Sequence, residues 1–309
     1  MLFVLHRPVV VLIVFLISAI LVAGCGGGAN ETLVIAVQPS ATQEELSSQA
    51  GELEAFLEQR VDADVEIRFP TTYAGVIEAL RFGHADAAFM SAWPASLANE
   101  HADSEVVLAE VRDVIVGGEK KQAPSYFSYW VVKKDSEYES LSDLLGKRVA
   151  FPSQLSTSGY VAPLARLKEL GLLSGDSLEP EDFFGEVVLA GGYSQAWEAL
   201  KAGQVDVSII AGDVPEQLYN EVLENTRVLE EQGPIPSHAV VFSQDLKNPL
   251  RGKLQEALIE LGDEEHRELM RKFVSGIFVR FEETTTEEHL ATLNEFLEAT
   301  GLAYTEKLQ

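Results

Sequence analysis

Ser156-Thr157-Ser158-Gly159-Tyr160 sets three neighbouring hydroxyls and a glycine where a strand pattern, Arg148-Val149-Ala150-Phe151-Pro152, gives way to a helix pattern running toward Glu169-Leu170. The first N–H groups of a helix have no intrahelical partner and carry partial positive charge, so small hydroxyl residues there can form a socket for an anion. Each hydroxyl donates one hydrogen bond and glycine admits close backbone approach, which suits a tetrahedral oxyanion. The same residues are also ordinary helix caps, with Thr157 or Ser158 in that role. The local sequence carries both readings. Pro163 sharpens the geometry: proline is tolerated only near a helix's first turn, which puts the start close to Ser158 or Gly159.

Catalytic patterns are sparse. The chain has no Gly-x-Ser-x-Gly elbow, no His-Glu-x-x-His pair and no Walker phosphate loop. Its six His are scattered, and only His238 falls at an expected sheet edge. The single cysteine, Cys25, excludes an intramolecular disulfide and a multi-cysteine metal site. No cofactor, metal or turnover is expected. A formal net charge of −26 over 309 residues argues against nucleic acid and against an anionic membrane surface as partners. A small anion remains bindable through local N–H and hydroxyl dipoles. With 46% hydrophobic residues the chain can bury one large core or two lobes of ordinary size.

The elements that must position these groups alternate. Leu33 to Val37 is a buried-strand run ended by Gln38-Pro39-Ser40, and Thr42 with Glu45 has capping-box spacing before a helix carrying Leu46, Ala50, Leu53 and Leu57. Val65, Ile67 and Phe69 alternate as a strand, Thr72 to Phe82 is helical, and Ala85 to Met90 is a strand again. Tyr73 opens that helix at the sheet's carboxyl edge, where open α/β sheets bind ligands, or else it covers the first turn. Trp93, in the next strand-to-helix turn, reads as packing or as a pocket wall. A strand over Val106 to Val111 precedes the polar stretch Gly117 to Lys121, and the aromatic-rich Ser125 to Val132 reads as a crossing between lobes.

Ser140 to Gly146 reads as a short helix before the Arg148 strand. Val187 to Ala190, Tyr193 to Ala202 and Val205 to Ile210 then give strand, helix and strand. Asp213-Val214-Pro215 has the look of an N-cap followed by proline in the first turn. Gly233 to His238 leads into the strand Ala239 to Phe242 as a second crossing. The remainder is mostly helical, with stripes at Leu254, Leu258, Leu261 and at Leu290, Leu293, Leu297 that should pack back on the first lobe. This is a βα architecture with largely parallel sheets.

The N-terminus reads as an export signal: His6 and Arg7, an apolar run from Val9 to Ile17, then Val22-Ala23-Gly24-Cys25. That ending resembles a bacterial lipobox, which implies acylation of Cys25 and removal of residues 1–24, with 25–31 a flexible linker. The competing reading is a permanent transmembrane helix.

Tyr73-Ala74-Gly75-Val76-Ile77-Glu78-Ala79-Leu80, Tyr126-Phe127-Ser128, Asp143-Leu144-Leu145-Gly146-Lys147-Arg148 and Ser156-Thr157-Ser158-Gly159-Tyr160, in this order, resemble the phosphate, phosphite and phosphonate binding proteins of ABC importers. The resemblance implies a type II periplasmic-binding-protein fold, α/β and two-lobed, each lobe a mostly parallel sheet flanked by helices, with ligand in the cleft. It divides the chain into 32–124 as the first part of lobe 1, 125–236 as lobe 2 with the crossings at its ends, and 237–309 as the rest of lobe 1. It makes Ser156, Thr157 and Ser158 the oxyanion donors, joined by Tyr73 and Tyr126. The family's usual Gly-Ser-His turn is matched by Gly191-Gly192-Tyr193, so Tyr193 can donate but carries no positive charge.

Asp213 matches an acidic position that faces a ligand ammonium in aminophosphonate binders, and His238 occupies a second such position. A simpler phosphorus oxyanion is therefore favoured over an amino-bearing one. The implied partners are an ABC permease and ATPase, and the implied location is the periplasm or the outer face of the cytoplasmic membrane. Two alternatives stay open: a protein of the same fold for a sulfonate or a pyrimidine precursor, and a sensor or enzyme that borrowed the fold.

Overall fold

The computed structural model describes residues 32–38, 43–173, 179–273 and 276–301. The expectations for Cys25 and for the Thr42 capping box lie outside the described residues. The chain opens with β1 (Thr32–Val37), α1 (Gln43–Val61), β2 (Asp64–Arg68), α2 (Tyr73–Arg81), β3 (Ala87–Met90) and α3 (Ala92–His101). It continues through β4 (Ser104–Val116), β5 (Glu119–Ala123), β6 (Ser125–Lys133), β7 (Arg148–Phe151), α4 (Ala162–Glu169), β8 (Glu186–Leu189), α5 (Tyr193–Lys201), β9 (Val207–Ala211) and α6 (Glu216–Asn225). Last come β10 (Thr226–Pro236), β11 (Ala239–Ser243), α7 (Leu250–Glu260), α8 (Arg267–Phe273), β12 (Phe278–Glu283) and α9 (Thr286–Thr300).

Two sheets result. The first has the order β12-β4-β11-β3-β1-β2 with β5 paired to β4, and the second runs β10-β6-β9-β7-β8. Parallel pairing is confined to β2-β1-β3 and β8-β7-β9, the strands joined by crossover helices, while the strands that return across the molecule pair antiparallel. Each sheet is therefore built around the same three-strand parallel unit, whose carboxyl edge faces the other sheet's. Period-2 geometry sorts β1: Leu33, Ile35 and Val37 pack with Leu53, Leu57, Leu254 and Leu258, and Ala36 packs on the other face with Val76, Ile77 and Leu97. A sheet covered on both faces needs such near-continuous apolar runs.

The chain passes from the first sheet to the second between β5 and β6, and returns between β10 and β11. The two passages touch, the Ser237 N–H donating to the Pro124 carbonyl at 3.0 Å. Three strands escape the sequence reading. β5 has no apolar alternation, only Glu119, Lys120, Lys121 and Gln122, and it pairs through a two-residue turn in which Gly117 (φ 61°) and Gly118 (φ 79°) take the left-handed backbone such hairpins require. β10 carries Pro234 and Pro236 and is tolerated because it forms the sheet's edge. β12 pairs with β4 inside a segment read as mostly helical.

The Leu254 stripe does pack on α1, in the first unit. The Leu290 stripe differs: α9 lies against α3 and β4 on one side and against α4 and β10 on the other. Helix α9 thus spans both sheets, with His289 Nε2 3.0 Å from the Ser237 carbonyl at the crossing.

Candidate functional site

The hydroxyl run sits in a wide opening turn ahead of α4. Its bonds reach five residues back, Val161 N–H to Ser156 O (3.2 Å) and Ala162 N–H to Thr157 O. The α-helical ladder begins only at Ala162, since Pro163 has no N–H to continue it toward Gly159. The cap is Ser156, whose Oγ accepts from Gly159 N–H at 2.9 Å, and neither Thr157 nor Ser158. Gly159 is there for space: a Cβ would stand 2.1 Å from Pro152 Cγ and 2.8 Å from Ser156 Oγ.

Relieved of capping, the other two hydroxyls turn elsewhere. Thr157, buried, accepts at Oγ1 from Trp93 N–H at 3.2 Å, joining the start of α3 in the first sheet to this turn in the second. Ser158, also buried, is a hub: Tyr126 OH donates to its Oγ at 3.0 Å, and Tyr193 OH lies 2.7 Å away. Tyr193 OH is also 3.5 Å from Ser156 Oγ.

Tyr126 comes from β6 at the crossing and Tyr193 from the first residue of α5, placed by a turn in which Gly191 takes φ 91°. Tyr73, first residue of α2, is held by the Thr72 cap, whose Oγ1 accepts from Gly75 N–H at 3.0 Å, and lies close enough to Tyr193 to influence its ionisation. Burial raises all three tyrosines above the ordinary phenol range, and Asp213 adds to this for Tyr126 and Tyr193. They remain neutral donors at physiological pH.

Asp213 is not an N-cap. Helix α6 starts from Pro215, and the Asp213 carboxylate instead accepts from Arg112 Nη1 at 2.8 Å. Arg112 Nη2 donates to Glu110 Oε2, also at 2.8 Å. Burial raises the Asp213 carboxyl, with Arg112 pulling the other way. For Arg112 burial opposes the charge, but Glu110 and Asp213 outweigh it and raise the guanidinium. Reading the residues alone missed Arg112 and Glu110. Their signal was a charge pair two residues apart within an apolar strand, which puts both on one face.

His238 stands beside this cluster. Gln38 Oε1 accepts from Ser91 N–H at 2.7 Å, which orients the amide so that its Nε2 faces His238 Nε2 at 3.4 Å. His238 Nε2 is then the acceptor and Nδ1 carries the proton. Burial first, and then Arg112, hold His238 well below the usual histidine range, so the ring is neutral. Of the residues expected at the site, Ser156, Ser158, Tyr126 and Tyr193 form one hydrogen-bonded cluster. Tyr73 and Asp213 border it, Thr157 faces Trp93, and His238 is reached through Arg112.

The profile of one protein family, described as ABC transporter, phosphonate, periplasmic substrate-binding protein, matches residues 35–289. The chain is similar to the phosphate-import protein PhnD of Mycolicibacterium smegmatis, 29% identical over 200 residues covering 61% of this chain and 60% of that protein. It is also similar to the phosphonates-binding periplasmic protein of Escherichia coli, 27% identical over 213 residues covering 67% and 59%. The match thus spans about three fifths of the length of these curated relatives. Among solved structures, a binding protein component of a Pseudomonas aeruginosa ABC phosphonate transporter superposes with a TM-score of 0.69 at 21% identity, covering 87% of both chains. Prochlorococcus marinus PhnD1 in complex with methylphosphonate gives 0.67 at 16%, covering 87% of this chain and 98% of that one.

These likenesses establish the fold as the two-lobed type II periplasmic-binding-protein fold. With its profile running across both sheets, the chain belongs to the periplasmic substrate-binding proteins of phosphonate ABC transporters.

Proposed function

We propose that the protein is an extracytoplasmic lipoprotein that binds a phosphorus oxyanion (a phosphonate, phosphite or phosphate) between its lobes and delivers it to an ABC permease and ATPase. The observation that carries this reading is the meeting of Ser158 with Tyr126 and Tyr193, buried neutral hydroxyls from three elements converging at a helix start. Each has one proton to donate, and the N–H groups of the opening turn add partial positive charge. A tetrahedral oxyanion offers several acceptors at once, and hydrogen bonds to charged groups contribute about 1.5–3 kcal/mol each. Ser158, Tyr126 and Tyr193 belong to the second sheet and its helices, while Tyr73 opens α2 on the first, so an anion held by all four favours a closed form. Nothing in this chemistry alters the ligand, so binding without turnover is expected. The relatives' names, one for phosphate import and one for phosphonates, support this ligand class.

Calorimetric titration of the full chain with phosphate, phosphite and methylphosphonate tests the reading, with a methylsulfonate control of the same shape. Saturable 1:1 binding of at least one phosphorus compound, tighter than the sulfonate, is expected, and absence of heat with all three would refute it. The anchor is proposed at Cys25, with residues 1–24 removed. Mass spectrometry of the native N-terminus should find a lipid on Cys25, and an intact Met1 in the membrane fraction would refute that.

A further inference from the structure

Glu110 and Arg112 share one face of β4, and Asp213 reaches them from the loop after β9 in the other sheet. Each carboxylate directs an oxygen to the guanidinium at 2.8 Å, and the three side chains are 2%, 4% and 10% exposed. The ion cluster adjoins the hydroxyl cluster through Tyr126, whose hydroxyl donates to Ser158 and which feels both Asp213 and Arg112. Three atoms here have no hydrogen-bond partner among the described residues: Arg112 Nε, His238 Nδ1 and Glu110 Oε1. With Nε2 of His238 accepting from Gln38, two of the three are N–H donors, which suit an acceptor oxygen and oppose an ammonium, and the third, Glu110 Oε1, is an acceptor.

A pair of buried carboxylates beside an oxyanion pocket is what a cationic ligand tail would need. Here the cation belongs to the protein. Resting on the oxyanion-binding reading above, we infer that Arg112 is a specificity-determining residue of the cleft. Its guanidinium takes the place of a ligand cation against Asp213 and Glu110, so the cleft accepts phosphorus oxyanions with an uncharged substituent and rejects those with an ammonium near phosphorus. Arg112 is too well paired to be displaced: it lies in the interior of a strand and joins both sheets. An incoming ammonium would meet the like charge of Arg112 and two unpartnered N–H donors, with Glu110 Oε1 the one unpartnered acceptor among the three atoms.

The test compares ethylphosphonate with 2-aminoethylphosphonate, similar in size and headgroup and differing in the ammonium, by calorimetric titration of the full chain. Ethylphosphonate should bind about 100-fold tighter, because like-charge juxtaposition in a desolvated site costs several kcal/mol. Equal affinity, or preference for the amine, overturns the inference. Arg112→Met should narrow or reverse the preference by freeing both carboxylates. The paired change Arg112→Met with Asp213→Asn removes one charge of each sign, avoids two unpaired buried carboxylates, and should bring the two ligands within about tenfold. A folded variant of either kind that keeps the full wild-type preference also overturns it. If neither variant folds, the wild-type comparison decides. Failure to bind any phosphorus oxyanion is a separate result that refutes the oxyanion reading itself, whereas binding without selectivity refutes only the role of Arg112.

Discussion

Ser156 and Ser158 are the same residue type two positions apart, yet the structure divides their work. Ser156 Oγ closes the helix start on Gly159 N–H, and Ser158 Oγ gathers the two tyrosine hydroxyls. The division makes a contrast testable. Ser156→Ala should lower stability by about 1 kcal/mol through loss of the cap. Ser158→Ala removes a donor to a charged ligand, about 1.5–3 kcal/mol, and should weaken oxyanion binding by roughly 10- to 150-fold. Thermal melts and titrations of both variants separate the effects, and equal affinities for the two would remove Ser158 from the site. Sequence alone identified the hydroxyls but offered Thr157 or Ser158 as the cap. The width of the opening turn, which selects Ser156, depends on how Pro163 and Pro152 pack.

The opening turn is tightly packed. Pro152 follows β7, its ring packs against Gly159, and Pro163 limits where the α-helical ladder starts. Gly159→Ala would drive a Cβ to 2.1 Å from Pro152 Cγ. A proline ring yields poorly, so the turn must shift, with an overpacking cost of roughly 1–3 kcal/mol. The expected result is a lower melting temperature together with weaker oxyanion binding. A melting temperature and affinity both unchanged would show that the turn is adaptable. At this scale much was legible in advance: α2 runs from Tyr73 to Arg81, inside the helical span from Thr72 to Phe82 that the pattern predicts, with those two residues as its caps. Helix caps act over three or four residues, which a sequence displays directly. β5, β10 and β12 were not legible, because their pairing partners rather than their own alternation make them strands.

For the whole molecule, two buried histidines flank the crossing. Burial holds both His238 and His289 below 6.5, and Arg112 further lowers His238. On unfolding each ring regains its ordinary affinity for a proton. The unfolded chain therefore binds more protons than the folded one just below pH 6.5, so stability is fully present above that pH and is lost as pH falls toward the depressed folded values. The slope should approach about 1.4 kcal/mol per pH unit for each histidine. Denaturant midpoints between pH 7.5 and 5.5 should fall accordingly, and His238→Gln should flatten the decline. An unchanged slope in that variant would mean that His238 titrates alike in both states.

From the sequence alone came the alternation of strands and helices, the placement of the two crossings, and the hydroxyl run at a helix start. Each of these rests on periodicity or on interactions within a few residues, where chain neighbours determine the outcome. The tertiary structure decided which hydroxyls meet. Ser158 is 32 residues from Tyr126 and 35 from Tyr193, and only the strand order brings them together. It also decided which charges meet beside the hydroxyl cluster. Arg112 and Asp213 are 101 residues apart and belong to different sheets, so no local pattern couples them. Burial then makes that ion pair consequential: a charge that water would screen at the surface must find its partners inside, and one of the two for Arg112 is the carboxylate that the local pattern reads as a helix cap.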